Sequence, residues 1–431
     1  MDPHAATRQA IAAVWRIEAA KITAGVARLV RDLGLAEELA QDALVAALEH
    51  WPEDGIPHNP GAWLMTTAKH RALDRLRQQQ MQSRKHDELA GDLDALQAGV
   101  VPDFVDALDA ARQDDIGDDL LRLIFTACHP LLSPEGRVAL TLRLLGGLGT
   151  DEIARAFLVG EPTIAQRIVR AKRTLAAARV PFEVPRAAER ARRLDAVLEV
   201  VYLVFNEGYA ATAGDDWMRP ALCDEALRLA RMLAALMPDE AEVLGLLALL
   251  ELQASRLGAR TDTQGRPVLL TDQDRSRWDR LLIHRGLTAL DKSGQLAQRG
   301  VGLGPYALQA GIAACHARAV HAADTDWLHI VSLYDALAQV LPSPVVALNR
   351  AVAVGMAYGP AAALPLVDAL LAEPALHQYH WLPSVRADLL FKLGRPLEAR
   401  SDFERAAALT RNARERELLL QRAAACAPEQ E

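Results

Sequence analysis

The chain has 431 residues, enough for two or three domains, and 51% of them are hydrophobic, enough for real cores. A formal net charge of -8 excludes general coating of nucleic acid, although a local basic site is still allowed because binding follows the local field. Four cysteines, Cys128, Cys223, Cys315 and Cys426, lie far apart with no CxxC, which argues against a disulfide scaffold or a zinc site and fits a reducing cytoplasm.

Aromatics make up only 5% of the chain, and Ala, Leu and Arg dominate. This composition favours helix over sheet and predicts an all-α fold. The N-terminus, MDPHAATRQA, lacks a charged-then-apolar signal pattern. The most apolar run, Val243 to Leu250, is too short to span a membrane. A soluble, cytoplasmic protein with no membrane contact is therefore expected.

The pattern divides into four parts. Residues 1–82 read as helices interrupted by a turn at Trp51 to Pro57. In the first helical stretch Leu35, Leu39, Ala43 and Ala46 form an apolar stripe, with Glu37, Glu38, Gln41, Asp42 and Glu49 on the other side. Such an acidic face suits docking on a basic protein surface, and it equally suits simple solvation. After the turn, Trp63, Leu64, Ala68, Ala72 and Leu76 are predicted to pack inward, with Trp63 in the core rather than stacked on a base. Lys69, Arg71, Arg75 and Arg77 form a basic surface.

Residues 83–117 read as an acidic linker: from Asp87 to Asp119 the only base is Arg112. Residues 118–182 contain TDEIARAFLVGEPTIAQRIVRAKRTL, Thr150 to Leu175, which reads as two short helices with a tight turn. Thr150 is a suitable N-cap, Leu158-Val159-Gly160 supplies the turn, and Pro162 suits the first position of the second helix. Ile164, Ile168, Ala171 and Leu175 make one apolar stripe, while Gln166, Arg167, Arg170 and Arg173 fall largely on other faces. No acid occurs from Pro162 to Pro181. A helix buried on one side and basic on another fits a major groove, where Arg and Gln read base edges and other cations hold phosphates. A solvated basic face is the bland alternative.

Residues 190–431 read as a long helical region. Ala387, Gly394, Ala399, Phe403 and Ala406 follow a helix-turn-helix rhythm like that of a tetratricopeptide (TPR) repeat, with a weaker unit at Ala347 to Leu371. Phe205-Asn206-Glu207-Gly208-Tyr209 looks site-like, but a helix end with Gly208 as cap and Tyr209 packed explains it more simply. There is no Gly-rich phosphate loop and no ligand-spaced His/Cys cluster, so neither enzyme, cofactor nor metal is expected.

Several of these motifs match one family. Ala36-Glu37-Glu38-Leu39-Ala40-Gln41-Asp42-Ala43, Ala62-Trp63-Leu64 through Leu73-Asp74-Arg75-Leu76-Arg77, and Asp151-Glu152-Ile153-Ala154 with Thr163 to Lys172 resemble bacterial RNA polymerase sigma factors of the extracytoplasmic-function (ECF) type. Phe157 to Arg167 is similar to a subgroup with a long TPR-like extension, as are Phe205 to Tyr209, Gly304 to Ala310 and Pro342 to Ala351.

The resemblance implies two small helical domains, the second a helix-turn-helix, joined by the acidic linker and followed by a larger TPR-like domain. It implies that Glu38, Leu39 and Asp42 bind the clamp helices of the polymerase β′ subunit. Thr66, Lys69, His70, Arg71, Arg75 and Arg77 would hold the −10 promoter element as it opens. Thr163, Gln166, Arg167, Arg170, Lys172 and Arg173 would grip the −35 duplex, and the helix-turn-helix domain would also touch the β flap. The extension would regulate the chain through a partner protein or an intramolecular contact, or would simply brace the core. His70 stands where many sigma factors have Asn, and Pro162 and Ala165 replace a more general Gly and Lys, so base preference does not transfer. The competing reading is a TPR-containing helix-turn-helix activator outside the polymerase; it leaves the second basic helix unexplained.

Overall fold

A computed structural model describes residues 3–90, 113–300 and 302–426. The chain divides into two units, Met1–Val200 and Val201–Glu431.

The first unit begins with α1 (Pro3–Val30), α2 (Leu33–Asp54) and α3 (Pro60–Ala90). α1 stops at Arg31, which adopts a left-handed φ of 53°. Asp32 then caps α2, its Oδ1 accepting from the Leu35 N–H at 2.8 Å. Pro52 sits inside α2, so the helix runs past the expected break at Trp51 and ends only at Gly55, φ 87°. The core is rich in alanine: Ala36, Ala40, Ala43, Ala47, Ala68 and Ala72 pack around Ile22, Val26 and Leu64. Small side chains let the three helices approach closely. Trp51 and Trp63 meet edge to face at 5.4 Å, so Trp63 packs against the core as expected.

α4 (Gln113–Ala127), α5 (Pro134–Leu144), α6 (Thr150–Phe157) and α7 (Glu161–Ala177) follow. Both ends of the expected 83–117 linker are helical: α3 continues to Ala90, and α4 starts at Gln113. Its acidic centre, 91–112, lies outside the described residues. Thr150 is not the N-cap of α6. Gly149 holds that position, and the Glu152 carboxylate accepts from its N–H at 2.8 Å, leaving the Thr150 hydroxyl to donate to Glu161 at 3.1 Å.

α8 (Ala187–Tyr209) starts in this unit. There, Arg193 Nη2 donates to the Phe125 carbonyl at 3.0 Å, and Arg137 Nη1 to Glu199 at 2.8 Å.

The second unit takes the end of α8 and adds α9 (Pro220–Leu236), α10 (Ala241–Ala254), α11 (Arg280–Ala297), α12 (Pro305–Arg318) and α13 (Trp327–Val340). α14 (Pro344–Tyr358), α15 (Pro360–Ala369), α16 (Trp381–Lys392), α17 (Pro396–Leu409) and α18 (Ala413–Ala425) complete it. Five of these helices, α9, α12, α14, α15 and α17, open on proline, where the missing N–H has no intrahelical partner to lose.

The expected repeat rhythm is realised in α16 and α17. Ala387, Ala399, Phe403 and Ala406 are buried in one core, and Gly394 turns the chain at φ 73°. Two short strands, β1 (Ala213–Gly214) and β2 (Arg411–Asn412), pair in parallel. Asn412 Nδ2 also donates to the Ala211 and Asp216 carbonyls, tying the end of this unit to its beginning.

Gly208 lies within α8 rather than capping it. A Cβ there would meet the Cys223 backbone nitrogen at 2.7 Å, so glycine permits the close approach of α9. Glu207 pairs with Arg219 and accepts from Thr212 at 2.9 Å, and Tyr209 stacks on Phe205. This motif is a packing device.

Candidate nucleic-acid interface

The helix-turn-helix is built by α6 and α7. Leu158 makes the turn in a left-handed conformation, φ 50°, and Gly160 caps α7. Pro162 is the second helical residue, where its missing N–H again has no partner to lose. Ile164, Ile168, Ala171 and Leu175 are all buried, so the predicted stripe is the packed face. Thr163, Gln166, Arg170 and Arg173 are exposed, and Arg167 is half-buried. Among the described residues, Arg167, Arg170 and Arg173 have no ion-pair partner, so their charges are available to an external anion.

Lys172 differs. Its ammonium pairs with Glu37 of α2. The lower end of α7 thereby borders a cleft of about 930 Å³ whose walls include Arg28, Arg31, Arg122, Lys172, Arg173 and Arg179.

The second basic surface is on α3. Thr66, His70, Arg75 and Arg77 are exposed and Arg71 is half-buried. Arg71 Nη1 lies 3.7 Å from Asp42, and Arg77 Nη1 lies 3.3 Å from Asp74. Asp42, Arg71, Asp74, Arg75 and Arg77 share one groove of about 490 Å³ with Glu38 and Met81. The face expected to dock on polymerase and the face expected to hold DNA therefore meet along a single furrow.

Two expected contact residues are largely buried. Lys69 is only 8% exposed, because its place beside Ala68 and Ala72 carries its stem into the helix–helix seam. Leu39 is 6% exposed and belongs to the three-helix core, the consequence of the apolar stripe it forms with Ala43 and Ala46. Leu39 contributes only an edge to the lining of the groove beside Glu38 and Asp42. Glu38 and Asp42 remain reachable. Glu37, expected on the outer acidic side, is instead buried against α5 and α7; no single-helix periodicity carries a signal for a pairing across elements.

No helix is long and apolar enough to cross a membrane among the described residues, and no group of His, Cys, Asp or Glu there has the form of a metal site.

Comparison with known proteins assigns the helices to recognised regions. Sigma-70 region 2 matches residues 18–81 and sigma-70 region 4 matches residues 122–175. A family of unknown function, DUF6596, matches residues 193–294. An uncharacterised protein of Rhizobium meliloti (strain 1021) is 47% identical over 389 residues, covering 90% of this chain and 89% of that protein. The ECF RNA polymerase sigma factor SigK of Mycobacterium ulcerans (strain Agy99) is 30% identical over 172 residues, 39% of this chain and 84% of SigK. Among solved structures, a tetratricopeptide repeat protein from Parabacteroides merdae covers 67% of this chain and 91% of its own, at 14% identity and a TM-score of 0.34. With both sigma regions in order on the two basic helices, and with a SigK matched over most of its length, the chain belongs to the ECF RNA polymerase sigma factors and carries a long helical extension after region 4.

Proposed function

We propose that this sigma factor binds core RNA polymerase through Glu38 and Asp42 on the outer face of α2, docking on the β′ clamp helices, with the helix-turn-helix touching the β flap. Thr66, His70, Arg71, Arg75 and Arg77 then hold the −10 strand as it opens. Captured bases offset an unstacking cost of a few kcal/mol per step. Thr163, Gln166, Arg167, Arg170, Lys172 and Arg173 engage the −35 duplex from the major groove.

The observation that carries this reading is α7 itself. It buries one apolar stripe completely and leaves Arg167, Arg170 and Arg173 without an ion partner among the described residues. Uncompensated cations on one helix of an acidic chain fit a polyanion.

Run-off transcription with purified chain and core polymerase tests it. A transcript from a cognate promoter should depend on the added chain and be lost in the double variant Arg167→Ala, Arg170→Ala. A factor-independent transcript, or one indifferent to the double variant, would refute it.

The extension regulates the sigma regions in this reading. The test is a comparison of the full chain with one ending at Val200. An end near Pro185 would remove Arg193 and Glu199, which tie α8 to Phe125 and Arg137, and would injure the first unit itself. Equal transcription by the full and shortened chains would count against regulation.

A further inference from the structure

The cleft at the lower end of α7 is lined by six cations, Arg28, Arg31, Arg122, Lys172, Arg173 and Arg179, and by two acids, Asp32 and Glu183. Cations therefore exceed acids by four there, in a chain of net charge -8. Three of the six are already committed: Arg28 and Arg122 pair with Asp119, and Lys172 with Glu37. Arg31, Arg173 and Arg179 are exposed and have no ion-pair partner among the described residues. Two of these three stand on unusual backbone. Arg31 follows α1 at φ 53° and Arg179 follows α7 at φ 49°, a left-handed conformation that ordinarily takes glycine at a helix end. A long cation held where glycine would fit better points to a use for the cation.

Much of the remaining lining is apolar: Leu33, Leu175, Val180 and Phe182. Phe182 packs against the core of the first three helices yet stays half-buried. The first turn of α2, at Leu33 and Gly34, adds the positive end of that helix. A volume of about 930 Å³ is that of a small-molecule site, and a lone phosphate would fill little of it.

We propose that this cleft binds a nucleoside polyphosphate, with its phosphates on Arg31, Arg173 and Arg179 and its base against Phe182. Arg173 also belongs to the face proposed for −35 DNA. A bound nucleotide therefore competes with the duplex for that cation. This consequence rests on the sigma reading of α7; the binding itself does not.

Isothermal titration calorimetry on the full-length chain tests the site, with ATP, GTP, tripolyphosphate and adenosine as probes. ATP or GTP should bind one site with a micromolar Kd, tripolyphosphate about tenfold more weakly, and adenosine not measurably. The double variant Arg31→Gln, Arg179→Gln changes two exposed, unpaired side chains outside the proposed DNA contacts. It should weaken the nucleotide at least tenfold while the melting temperature stays put. Phe182→Ala should reduce the nucleotide to the affinity of tripolyphosphate and leave tripolyphosphate binding intact, which shows that the cleft still forms. If neither nucleotide binds, or binding ignores the double variant, the site is overturned. Tripolyphosphate binding as tightly as the nucleotide would overturn the nucleoside assignment.

The competition is read from −35 duplex binding at constant ionic strength. Saturating nucleotide should weaken the duplex about two- to threefold with the wild-type chain and leave the double variant unaffected. Undiminished duplex binding with the nucleotide bound would overturn the competition and leave the site standing. If Arg170→Ala also fails to weaken the duplex, the DNA reading has failed instead. A double variant that loses duplex as strongly as Arg170→Ala, on a chain that binds no nucleotide, would make the cleft a seat for DNA backbone and sink the proposal.

Discussion

Arg170 and Arg173 of the first unit stand exposed and without an ion partner among the described residues, whereas Arg256, Arg260 and Arg275 of the second unit are each less than one-tenth exposed. Arg275 donates to the His316 and Ala319 carbonyls at 2.8 and 2.7 Å and to the Thr325 hydroxyl at 3.1 Å. These carbonyls lie at the C-terminal, negative end of α12. Arg260 donates to the Tyr209 carbonyl at the end of α8 at 2.9 Å and lies 3.6 Å from the Tyr209 ring centroid. Arg256 sits between Tyr209 and Trp278. The contrast teaches that arginine content alone does not mark a nucleic-acid surface. A guanidinium already satisfied by helix-end carbonyls and aromatic faces is part of the core, and only an unsatisfied one recruits an anion.

Removing Arg275 is the strongest test of that contrast. Arg275→Ala loses three charge-assisted hydrogen bonds and should destabilise the second unit by about 3–4 kcal/mol while leaving −35 duplex affinity unchanged. The cysteines report each unit separately. Burial pushes the Cys128 thiol up to about 11 in the first unit and the Cys223 thiol up to about 12 in the second, so neither reacts until its unit opens. In rising urea the variant should label Cys223 and Cys315 well before Cys128. Simultaneous labelling, or a change in duplex affinity, would break the division of roles.

His316 gives a smaller effect with a defined pH window. Burial first, then the charges of Arg256 and Arg275, lowers its imidazole pKa to about 3. Folded, it stays neutral down to that value; unfolded, it protonates near 6.5. Between the two the unfolded chain binds the extra proton, so stability is present above about 6.5 and is lost as pH falls. The loss at pH 4.5 should be roughly 2–3 kcal/mol relative to pH 7. Urea titrations at the two values check it, with His316→Gln as the control that flattens this part of the dependence. A variant with the same pH slope as the wild type would remove His316 from the account.

On the exposed side of the contrast, Arg170→Ala should weaken −35 duplex binding about five- to tenfold and lower the salt slope by about one. The melting temperature should not move. A loss of stability would place Arg170 with the structural arginines of the second unit.

Periodicity made much of this legible. The stripe from Ile164 to Leu175 and the rhythm from Ala387 to Ala406 each follow from one helix burying one face, and each is buried as read. What stayed hidden involves two elements at once. Lys69 disappears into a seam whose depth depends on α1 and α2, and Glu37 finds Arg143 and Lys172 more than a hundred residues away. The Thr150 cap failed for a local reason: Glu152 reaches back to the Gly149 N–H as the acid of a capping box, and that register sets the cap one residue before Thr150. Arg260 and Arg275 were invisible because they donate to backbone carbonyls, which every residue possesses and no sequence marks.

The Asp42–Arg71 pair falls between the two kinds of arginine and carries the smallest effect. At 3.7 Å, with both side chains more than a third exposed, it belongs to the class of ion pairs worth under about 1 kcal/mol. It nevertheless joins a residue proposed for polymerase docking with one proposed for the −10 strand, across one groove. A basic clamp surface that takes up Asp42 would leave Arg71 free for DNA, so docking and strand capture would assist each other through a shared charge. Asp42→Asn should therefore raise the affinity of the free chain for a single-stranded −10 oligonucleotide about two- to threefold at low salt, and the gain should vanish at high salt. The same variant should bind core polymerase more weakly. A gain that survives high salt would mean that shape, not charge, holds Arg71 back; no gain at all would leave docking and strand capture as independent events on neighbouring faces.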